Sequence, residues 1–437
     1  MATEAGRSRD EIAGWVRDAR KRTLEITDDL TDAQMRVPLL AILNPFLWEI
    51  GHVAWFQERW LLRHQPGAPP KESSLDSLYD SSAVGHGTRW ELALPSRAGT
   101  REYLDDVQRC VLERLRSEEL GEELAYFAQL AVFHEDMHGE AFLYTRQTLA
   151  YPPPAALVPS QQPPGASVEG DAEIPGGEFL LGAPKGSPFV FDNEQWAHPV
   201  VVEPFAISRT AVTQGEFVRF VEDGGYRRRE LWSPEGWEWR AGVGADRPVY
   251  FDRDSGGRWQ RRHYDRRLPL EPDRPVIHVN GFEAEAYCHW AGRRLPTETE
   301  WEVAAAAEPS AGGATLSRTK RLYPWGAEPP DATRANLDAR VVDTVDVGAL
   351  AAGDSAFGCR QMIGNVWEWT ASAFGPYPGF EPGPYRDYSV PWFGTHRVLR
   401  GGAWSTRARM VRNTWRSYYT PDRRDVFAGF RTCRADR

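Results

Sequence analysis

A proline-rich stretch near the middle of this chain is the feature that most limits how the chain can fold. Residues 151–170 contain six prolines: Pro152, Pro153, Pro154, Pro159, Pro163 and Pro164. Proline fixes φ and has no amide hydrogen, so such a stretch favours an extended linker over a helix or an inner strand. A chain of 437 residues also exceeds what one hydrophobic core usually spans. We therefore predict two domains, at 1–150 and 172–437, joined by a linker at 151–171.

The first domain is predicted to be helical throughout. Its apolar residues recur at intervals of three and four, as on one face of an amphipathic helix. This spacing predicts four long helices, over residues 10–30, 45–64, 99–117 and 121–149. Thr100 is the predicted N-cap of the third helix. Four helices joined by loops favour an up-and-down four-helix bundle.

The second domain has a different texture, with Gly, Pro and Trp scattered between short apolar runs. Short runs bounded by turn residues predict short strands. Helical spacing marks three segments, at 214–222, 281–290 and 298–307. Thr297 and Glu300 form a predicted capping box at the start of the last one. The chain is thus predicted to be α+β, with a helical bundle followed by a mixed domain of irregular strands.

Charge, hydropathy and cysteine spacing argue against several classes of partner. A formal net charge of −10 with no block of like charge argues against nucleic acid. No run of about 18 apolar residues exists, so we expect no membrane span, and residues 1–10 lack the apolar stretch of a signal peptide. The four cysteines lie far apart and form no CxxC pair, which favours reduced thiols and a cytoplasmic location.

Three histidines of the predicted bundle form a candidate metal site. His134 and His138 are four residues apart, which places both imidazoles on one face of the fourth helix. Antiparallel packing of the second helix brings His52 within reach of this pair. Three imidazoles leave coordination positions open, as an O2-using iron(II) site requires, although zinc and nickel accept the same ligands. The segment also matches the HExxH pattern, so a zinc hydrolase with Glu135 as its base is an alternative.

Several dense motifs in the second domain carry a family resemblance. They are Arg294-Leu295-Pro296-Thr297-Glu298, Tyr323-Pro324-Trp325-Gly326, Gly364-Asn365-Val366-Trp367-Glu368-Trp369, Leu399-Arg400-Gly401-Gly402 and Gly429-Phe430-Arg431. Together they closely resemble the formylglycine-generating-enzyme (C-type-lectin-like) fold of sulfatase-modifying factors. The first domain resembles the DinB-like bundle. Such a bundle with three histidines, joined to this fold, resembles the sulfoxide synthases of ergothioneine and ovothiol biosynthesis and the related selenoneine synthases.

The resemblance implies a cofactor and a chemistry. In that family three histidines bind iron(II), and they correspond to His52, His134 and His138 here. The implied acceptor is hercynine, a trimethylated histidine, to whose imidazole sulfur or selenium is attached with O2. Formylglycine-generating enzymes instead need a pair of cysteines near the C-terminus for copper, and only Cys433 lies there. The fold resemblance adds structural calcium as a second candidate cofactor, with Asn365 as its candidate neighbour.

The aromatic candidates follow from what hercynine requires. A trimethylammonium group donates no strong hydrogen bond and is held by aromatic faces or a carboxylate. Trp415, Tyr418 and Tyr419 are the candidates for this contact, although each of them also suits packing within the scaffold.

A proton donor near the iron is also implied by the resemblance. In the sulfoxide synthases it is a tyrosine on a loop after the Gly-Asn-Val-Trp-Glu-Trp motif. Tyr377 is our first choice and Tyr385 the second, although either one also suits an ordinary loop position. Phe380, on the same loop, is a further candidate for substrate binding.

Three departures from the family pattern bear on the chalcogen donor. Met137 stands where enzymes that use γ-glutamylcysteine have a Gln before the last histidine. Arg89 is single where those enzymes carry paired arginines, and Tyr418-Tyr419 stand where an acidic residue would hold the donor's amine. A less charged pocket suits a neutral sugar, so we predict a selenoneine synthase that takes a seleno-sugar. The alternatives are an ergothioneine-type sulfoxide synthase that takes cysteine or γ-glutamylcysteine, and a non-catalytic binding module.

Overall fold

The chain folds into two compact units. The computed structural model describes residues 7–65, 71–166, 168–187 and 189–435. The first unit consists of Met1–Leu157 together with Gly186–Phe189, and the second of Val158–Lys185 and Val190–Arg437. The main division therefore falls at Leu157, inside the segment predicted to be a linker. A short piece of the second half belongs to the first unit, where the buried ring of Phe189 packs 5.1 Å from that of Tyr126 and 4.9 Å from that of Phe133.

The first unit is built from helices. They are α1 (Arg9–Thr27), α2 (Asp32–Met35), α3 (Phe46–Gln57), α4 (Asp76–Tyr79), α5 (Arg97–Ser117) and α6 (Glu122–Thr148). A π-helical segment, Glu58–Arg63, continues α3 directly, and a 3-10 turn spans His86–Trp90. The four long helices lie where the apolar spacing predicts them, which confirms the bundle. The prediction of Thr100 as the N-cap of the third helix is wrong. The N-cap is Ser96, whose side chain accepts a hydrogen bond from the Gly99 amide, and Thr100 is buried within α5.

The helices α3 and α6 carry the most buried faces of this unit. Eleven of the twelve residues of α3 are buried, as expected for a helix that is apolar on nearly all sides. The helix α1 packs along α6, and α3 packs against both α5 and α6. Polar groups on the inner faces of α3 and α6 are therefore held away from water, where each needs a hydrogen-bonding partner.

The second unit consists of short strands, short helices and turns. Its strands are β1 (Asp171–Ile174), β2 (Gly177–Leu181), β3 (His198–Val202), β4 (Phe205–Ser208), β5 (Phe251–Arg253), β6 (Trp259–His263), β7 (Arg266–Pro269), β8 (Arg293–Arg294), β9 (Ala307–Pro309), β10 (Leu316–Lys320), β11 (Trp367–Ala373), β12 (Arg397–Arg400), β13 (Arg416–Tyr419), β14 (Ala428–Gly429) and β15 (Cys433–Arg434). Its α-helices are α7 (Gln214–Glu222), α8 (Pro234–Val243), α9 (Gly281–Trp290) and α10 (Glu298–Ala306). Its 3-10 turns are Asp192–Glu194, Gly225–Arg227, Arg229–Leu231, Ala351–Gly353, Arg386–Tyr388 and Val390–Trp392.

Two four-stranded sheets organise this unit. One has the order β1-β4-β15-β8 and is antiparallel, and the other has the order β13-β12-β11-β14, in which β11 and β14 pair in parallel. The strands β5, β6 and β7 form a smaller sheet, and β2–β3 and β9–β10 are two-stranded. The three predicted helices and the Thr297–Glu300 capping box are confirmed. The sequence reasoning missed α8, whose two glycines lower its helix propensity.

Buried ion pairs explain why several of the motifs contain charged residues. The three pairs are Arg431–Glu368, Arg400–Glu302 and Arg416–Glu298, all of them almost fully buried. Arg431 donates to both oxygens of Glu368, at 2.6 and 2.7 Å, and the Trp301 indole donates to the same carboxylate at 2.7 Å. Each buried charge is thus neutralised and hydrogen-bonded, which a buried charge requires. These motif residues hold the fold together.

Candidate metal centre

Three imidazoles meet in the interior of the first unit. His52 lies on α3, and His134 and His138 lie one turn apart on α6. Their candidate ligand nitrogens all lie within 4.8 Å of one another. The ring centroids are 5.0 Å apart for His52–His134, 5.1 Å for His52–His138 and 4.5 Å for His134–His138. Across the described parts of the chain, no other group of three or more His, Cys, Asp or Glu side chains is close enough to share an ion.

Hydrogen bonds at Nδ1 orient two of the three rings. His52 Nδ1 lies 2.7 Å from the carbonyl oxygen of Tyr79, and His138 Nδ1 lies 2.5 Å from Oε1 of Glu49. A carbonyl oxygen and a carboxylate accept hydrogen bonds, so in both rings Nδ1 carries the proton and donates it. The lone pair that remains for a metal is therefore on Nε2 in both rings.

Aromatic side chains cover His134 and His52, the two fully buried histidines of the cluster. The His134 ring stacks on Phe56 with centroids 3.7 Å apart, and the His52 ring lies 4.9 Å from Trp48 and 5.6 Å from Trp55. Burial lowers the pKa of both histidines well below the ordinary value, and the neighbouring His138 lowers each pKa further. Both imidazoles are therefore neutral at pH 7, which is the form that binds a metal.

The donor set fits iron(II). Imidazole nitrogen suits iron as well as zinc, copper and nickel, and three protein ligands leave further coordination positions open. His138 is the most exposed of the three, with 18% of its side chain accessible. Its neighbour Met137 is half-buried. A small molecule would therefore approach the cluster from the side of these two residues.

Glu135, the base of the alternative zinc hydrolase, is hydrogen-bonded to side chains outside the histidine cluster. Its Oε1 accepts hydrogen bonds from Arg20 Nε at 2.8 Å and from the Thr23 hydroxyl at 2.9 Å, and its Oε2 accepts one from Gln57 Nε2 at 2.6 Å. The Arg20 and Glu135 side chains are both essentially buried. A carboxylate that is ion-paired and saturated with donors is not available as a base, so the geometry argues against the hydrolase.

Arg89, predicted to bind the donor, is held in place by the protein itself. Its guanidinium lies 4.0 Å from the ring centroid of Trp48 and donates to the Asn44 side chain at 2.7 Å. Longer hydrogen bonds of 3.4 and 3.3 Å reach the carbonyl oxygens of Ser81 and Val84. This arginine is thereby anchored near the histidine cluster, with few donors left for a substrate.

Tyr377, the first choice for the proton donor, lies in the hydrophobic core of the second unit. Its hydroxyl donates to Oε2 of Glu298 at 3.4 Å, and the Arg416 guanidinium lies 4.1 Å from its ring centroid. Burial raises the pKa of this phenol, and the Glu298 carboxylate raises it further. These contacts give Tyr377 a packing role in the core. Its role as a proton donor stays a prediction.

Tyr385 and Tyr418 are brought to one aromatic cluster of the second unit. The ring of Tyr388 lies 6.1 Å from that of Tyr385 and 5.7 Å from that of Tyr418. On its other side Tyr418 stacks on Phe374 at 4.0 Å. Phe191 completes the cluster with its ring 4.4 Å from that of Tyr388. Tyr388 and Phe191 were not singled out from the sequence, because their proximity depends on strands and loops distant along the chain.

The other aromatic candidates occupy separate surroundings. Trp415 is buried and packs edge-on against Trp367 at 4.9 Å. Phe380 packs edge-on against Phe393 at 5.2 Å. The Arg423 guanidinium lies 5.1 Å from the ring centroid of Tyr419, which gives that ring a cation already. The substrate roles of all three residues stay predictions.

Asn365, the candidate calcium neighbour, has every polar atom engaged by protein. Its side-chain oxygen accepts from Asn336 Nδ2 at 3.1 Å and from the Val345 amide at 2.8 Å. Its amide nitrogen donates to the Val345 carbonyl at 3.0 Å and to Gln361 Oε1 at 2.7 Å. A carbonyl oxygen has two lone pairs, and both are used. These contacts give Asn365 a structural role, and its place beside a calcium ion stays a prediction.

The sequence reasoning missed two residues of the metal centre, Glu49 and Tyr79. Glu49 had a signal, because it is the one Asp, Glu, Lys or Arg of α3, and a charge in a buried helix needs a partner. Tyr79 had none, because it acts on His52 through its backbone carbonyl, which carries no mark in the sequence.

The chain is similar to known proteins over both of its units. Residues 156–436 match the family described as "Sulfatase-modifying factor enzyme 1-like domain", and residues 16–142 match the family described as "DinB superfamily". These matches and the histidine cluster define the class, a DinB-type helical bundle joined to a sulfatase-modifying-factor-like domain. Among the described residues, no helix is both long enough and apolar enough to cross a membrane.

Curated relatives narrow the class to one family. A hercynine oxygenase of Mycolicibacterium thermoresistibile is 39% identical over 97% of this chain and 94% of that protein. A hercynine oxygenase of Mycobacterium tuberculosis is 38% identical over 97% of this chain and 98% of that protein. A formylglycine-generating enzyme of Streptomyces coelicolor is 33% identical but covers 65% of this chain. The chain belongs to the hercynine oxygenase family.

Proposed function

We propose that this protein is an iron(II)- and O2-dependent enzyme that joins selenium or sulfur to the imidazole C2 of hercynine. The observation that carries the proposal is the cluster of His52, His134 and His138. It lies in a chain that is similar to hercynine oxygenases over almost its whole length. In the overall step the ring C2–H bond and the Se–H or S–H bond break and the C–Se or C–S bond forms. One oxygen atom of O2 is added to the joined selenium or sulfur, and the other leaves as water with the two hydrogens.

The chain's own residues supply orientation and a dry environment. Bound iron would supply O2 activation and a meeting point for the two substrates. Glu49 and the Tyr79 carbonyl fix the orientation of two imidazoles. Trp48 and Phe56 exclude water from the flanks of the cluster. Substrates held this way react at a high effective concentration.

Within this function we propose a seleno-sugar as the donor. Met137 supplies no strong hydrogen bond beside the cluster, and the guanidinium of Arg89 is already engaged by Trp48 and Asn44. Arg89 is therefore not readily available to a donor with a free carboxylate. The alternative is a sulfoxide synthase that takes cysteine or γ-glutamylcysteine, and the relatives' name, hercynine oxygenase, is compatible with either donor.

The test compares four donors on the iron-loaded enzyme. The protein is loaded with Fe(II) without oxygen and then given O2, hercynine and one donor at a time, namely seleno-glucose, thio-glucose, cysteine or γ-glutamylcysteine. Mass spectrometry identifies the product. An adduct that forms with seleno-glucose and not with the amino-acid thiols supports the proposal, and a product from cysteine or γ-glutamylcysteine establishes the alternative. No hercynine product from any donor, with iron bound, overturns the function.

A matched pair of histidine variants shows whether the cluster is responsible. His52→Asn removes one candidate ligand and is expected to abolish both turnover and stoichiometric iron binding. His64→Asn alters a nearby histidine outside the cluster, which packs 4.4 Å from Phe127, and is expected to keep both. Equal activity of the two variants would contradict the proposed centre.

We also propose that the proton donor is Tyr377 or Tyr385. Tyr377→Phe loses the hydrogen bond to Glu298, so its folding must be measured alongside its turnover. Tyr385→Phe alters a half-buried ring in the aromatic cluster. The donor is the tyrosine whose replacement lowers turnover while iron binding and the unfolding temperature are preserved. Unchanged turnover in both variants would rule out this pair.

A further inference from the structure

Glu49 is a buried carboxylate in an otherwise apolar helix. It is 2% exposed and has buried neighbours on both sides along α3. A carboxylate in such a place is costly unless it is paired and hydrogen-bonded. Its partner is Nδ1 of His138, 2.5 Å from Oε1. The contact joins α3 to α6 across 89 residues of sequence.

The three histidines of the cluster are held in different ways. His52 donates to a backbone carbonyl, that of Tyr79. The His134 ring is stacked on Phe56. His138 has a carboxylate at Nδ1, and it is also the most exposed of the three rings. An exposed ring has more rotational freedom than a buried one, so the carboxylate acts where orientation is otherwise least secured.

The cation Arg89 lies against Trp48, the residue that precedes Glu49. Arg89 is anchored over Trp48, the residue next to Glu49, and by the Asn44 side chain. Burial lowers the pKa of Arg89, and the Glu49 carboxylate opposes that shift. The contacts with Trp48 and Asn44 hold Arg89 in place without a substrate.

We propose that Glu49 is a positioning residue that holds His138 with Nε2 directed to the metal and strengthens that nitrogen as a donor. The proposal deepens the proposed function and rests on it. A carboxylate that accepts from the remote nitrogen of a ligating histidine fixes the tautomer and raises the basicity of the other nitrogen.

The test measures metal affinity with variants of one helix. Glu49→Gln keeps the size and an accepting oxygen but removes the charge, and Glu49→Ala removes both. Glu58→Gln is the matched control, because Glu58 lies on the π-helical continuation of α3 and pairs with Arg63 and Tyr103 rather than with a histidine. Fe(II) affinity is measured without oxygen by competition with a chromophoric chelator. The visible spectrum of the Co(II)-loaded protein reports the ligand field directly.

We expect Glu49→Gln to weaken Fe(II) binding about 10- to 100-fold and Glu49→Ala to weaken it at least as much. The Co(II) spectrum is expected to shift in both variants, whereas Glu58→Gln keeps the affinity and the spectrum of the unaltered protein. Thermal unfolding of the metal-free proteins identifies any variant that has not folded, and the isosteric Glu49→Gln carries the test if Glu49→Ala fails. Unchanged affinity and spectrum in folded Glu49 variants overturn this inference and leave the proposed function standing. Failure of the unaltered protein to bind metal overturns both.

Discussion

At the scale of single residues, two acidic side chains near the histidines have opposite surroundings. Glu49 contacts a histidine nitrogen, whereas Glu135 contacts Arg20, Thr23 and Gln57. The two residues are equally buried, so burial alone does not separate a residue of the metal centre from one that stabilises the bundle. The atoms that each carboxylate touches do separate them.

Glu135→Gln is expected to destabilise the protein rather than impair chemistry directly. The substitution leaves the Arg20 guanidinium buried without a counter-charge, at a cost of about 3 kcal/mol in the free energy of unfolding. Urea denaturation checks this value. Glu25→Gln, which breaks the surface pair Lys21–Glu25 on α1, is the control and should cost less than about 1 kcal/mol. A stable Glu135→Gln protein that binds metal but has lost turnover would restore Glu135 as a catalytic base.

Asn365 offers a second test at the residue scale. Its φ of +70° lies in the left-handed region, which Gly adopts freely and Ala adopts at a cost of about 1 kcal/mol or more. Asn365→Gly and Asn365→Ala both lose the four hydrogen bonds, so both should destabilise the protein, and Ala should do so by about 1 kcal/mol more. Urea midpoints of the two variants check the order. A midpoint of the unaltered protein that rises with added calcium would contradict the assignment of Asn365 as a structural residue.

At the scale of elements, close packing of α3 against the segment that ends at Tyr79 supports the metal centre. Gly51 precedes His52, and a Cβ at this position would lie 2.4 Å from atoms of the Tyr79 ring. The same Tyr79 supplies the carbonyl that orients His52. The absence of a side chain at position 51 therefore allows the approach that sets the tautomer of the next residue.

Two glycines in long helices of the bundle should respond in opposite directions to alanine. Gly51→Ala forces Tyr79 to move. We expect this overpacking to lower the free energy of unfolding by about 1–3 kcal/mol and to weaken metal binding. Gly139→Ala on α6 meets only Ile26 Cδ1 at 3.9 Å, so the better helix propensity of alanine should stabilise the protein by up to about 1 kcal/mol. Thermal unfolding of the metal-free variants measures both effects. A neutral Gly51→Ala would show that Tyr79 is free to shift.

At the scale of the whole molecule, buried histidines couple stability to pH. Burial lowers the pKa of His278 in the second unit to about 3, and the nearby Arg262 adds to the shift. This pKa lies below the value of about 6.5 that histidine has in an unfolded chain. As pH falls, His278 therefore binds a proton in the unfolded chain before it does so in the folded one. His278 therefore makes stability decrease on acidification between about pH 6.5 and pH 3.

The variant His278→Asn isolates this effect. His278 has a φ of +62°, which Asn tolerates better than most residues, and Asn does not titrate. Below pH 6.5 the free energy of unfolding of the unaltered protein should fall by up to about 1.4 kcal/mol per pH unit more steeply than that of the variant. Urea denaturation at pH 7.5, 6.5 and 5.5 gives the two slopes. Equal slopes would show that folding does not lower the pKa of His278.

The parts of this molecule that the sequence predicts are those governed by local periodicity. The long helices follow from apolar spacing, and His134 and His138 share a face of α6 because they are four residues apart. The parts that it misses depend on contacts between distant segments. The carbonyl of Tyr79, the alternative engagement of Glu135 and the saturated side chain of Asn365 are set by tertiary packing, for which a single sequence carries no direct signal.

Phe189 lies on a short segment of the second half that belongs to the first unit. The bundle is thus encoded by two separate stretches of the gene, with β1 and β2 encoded between them. A recombination event with a single crossover near codon 157 would transfer the bundle without the residue that covers Tyr126 and Phe133. Transfer of a complete bundle to another gene therefore requires both stretches.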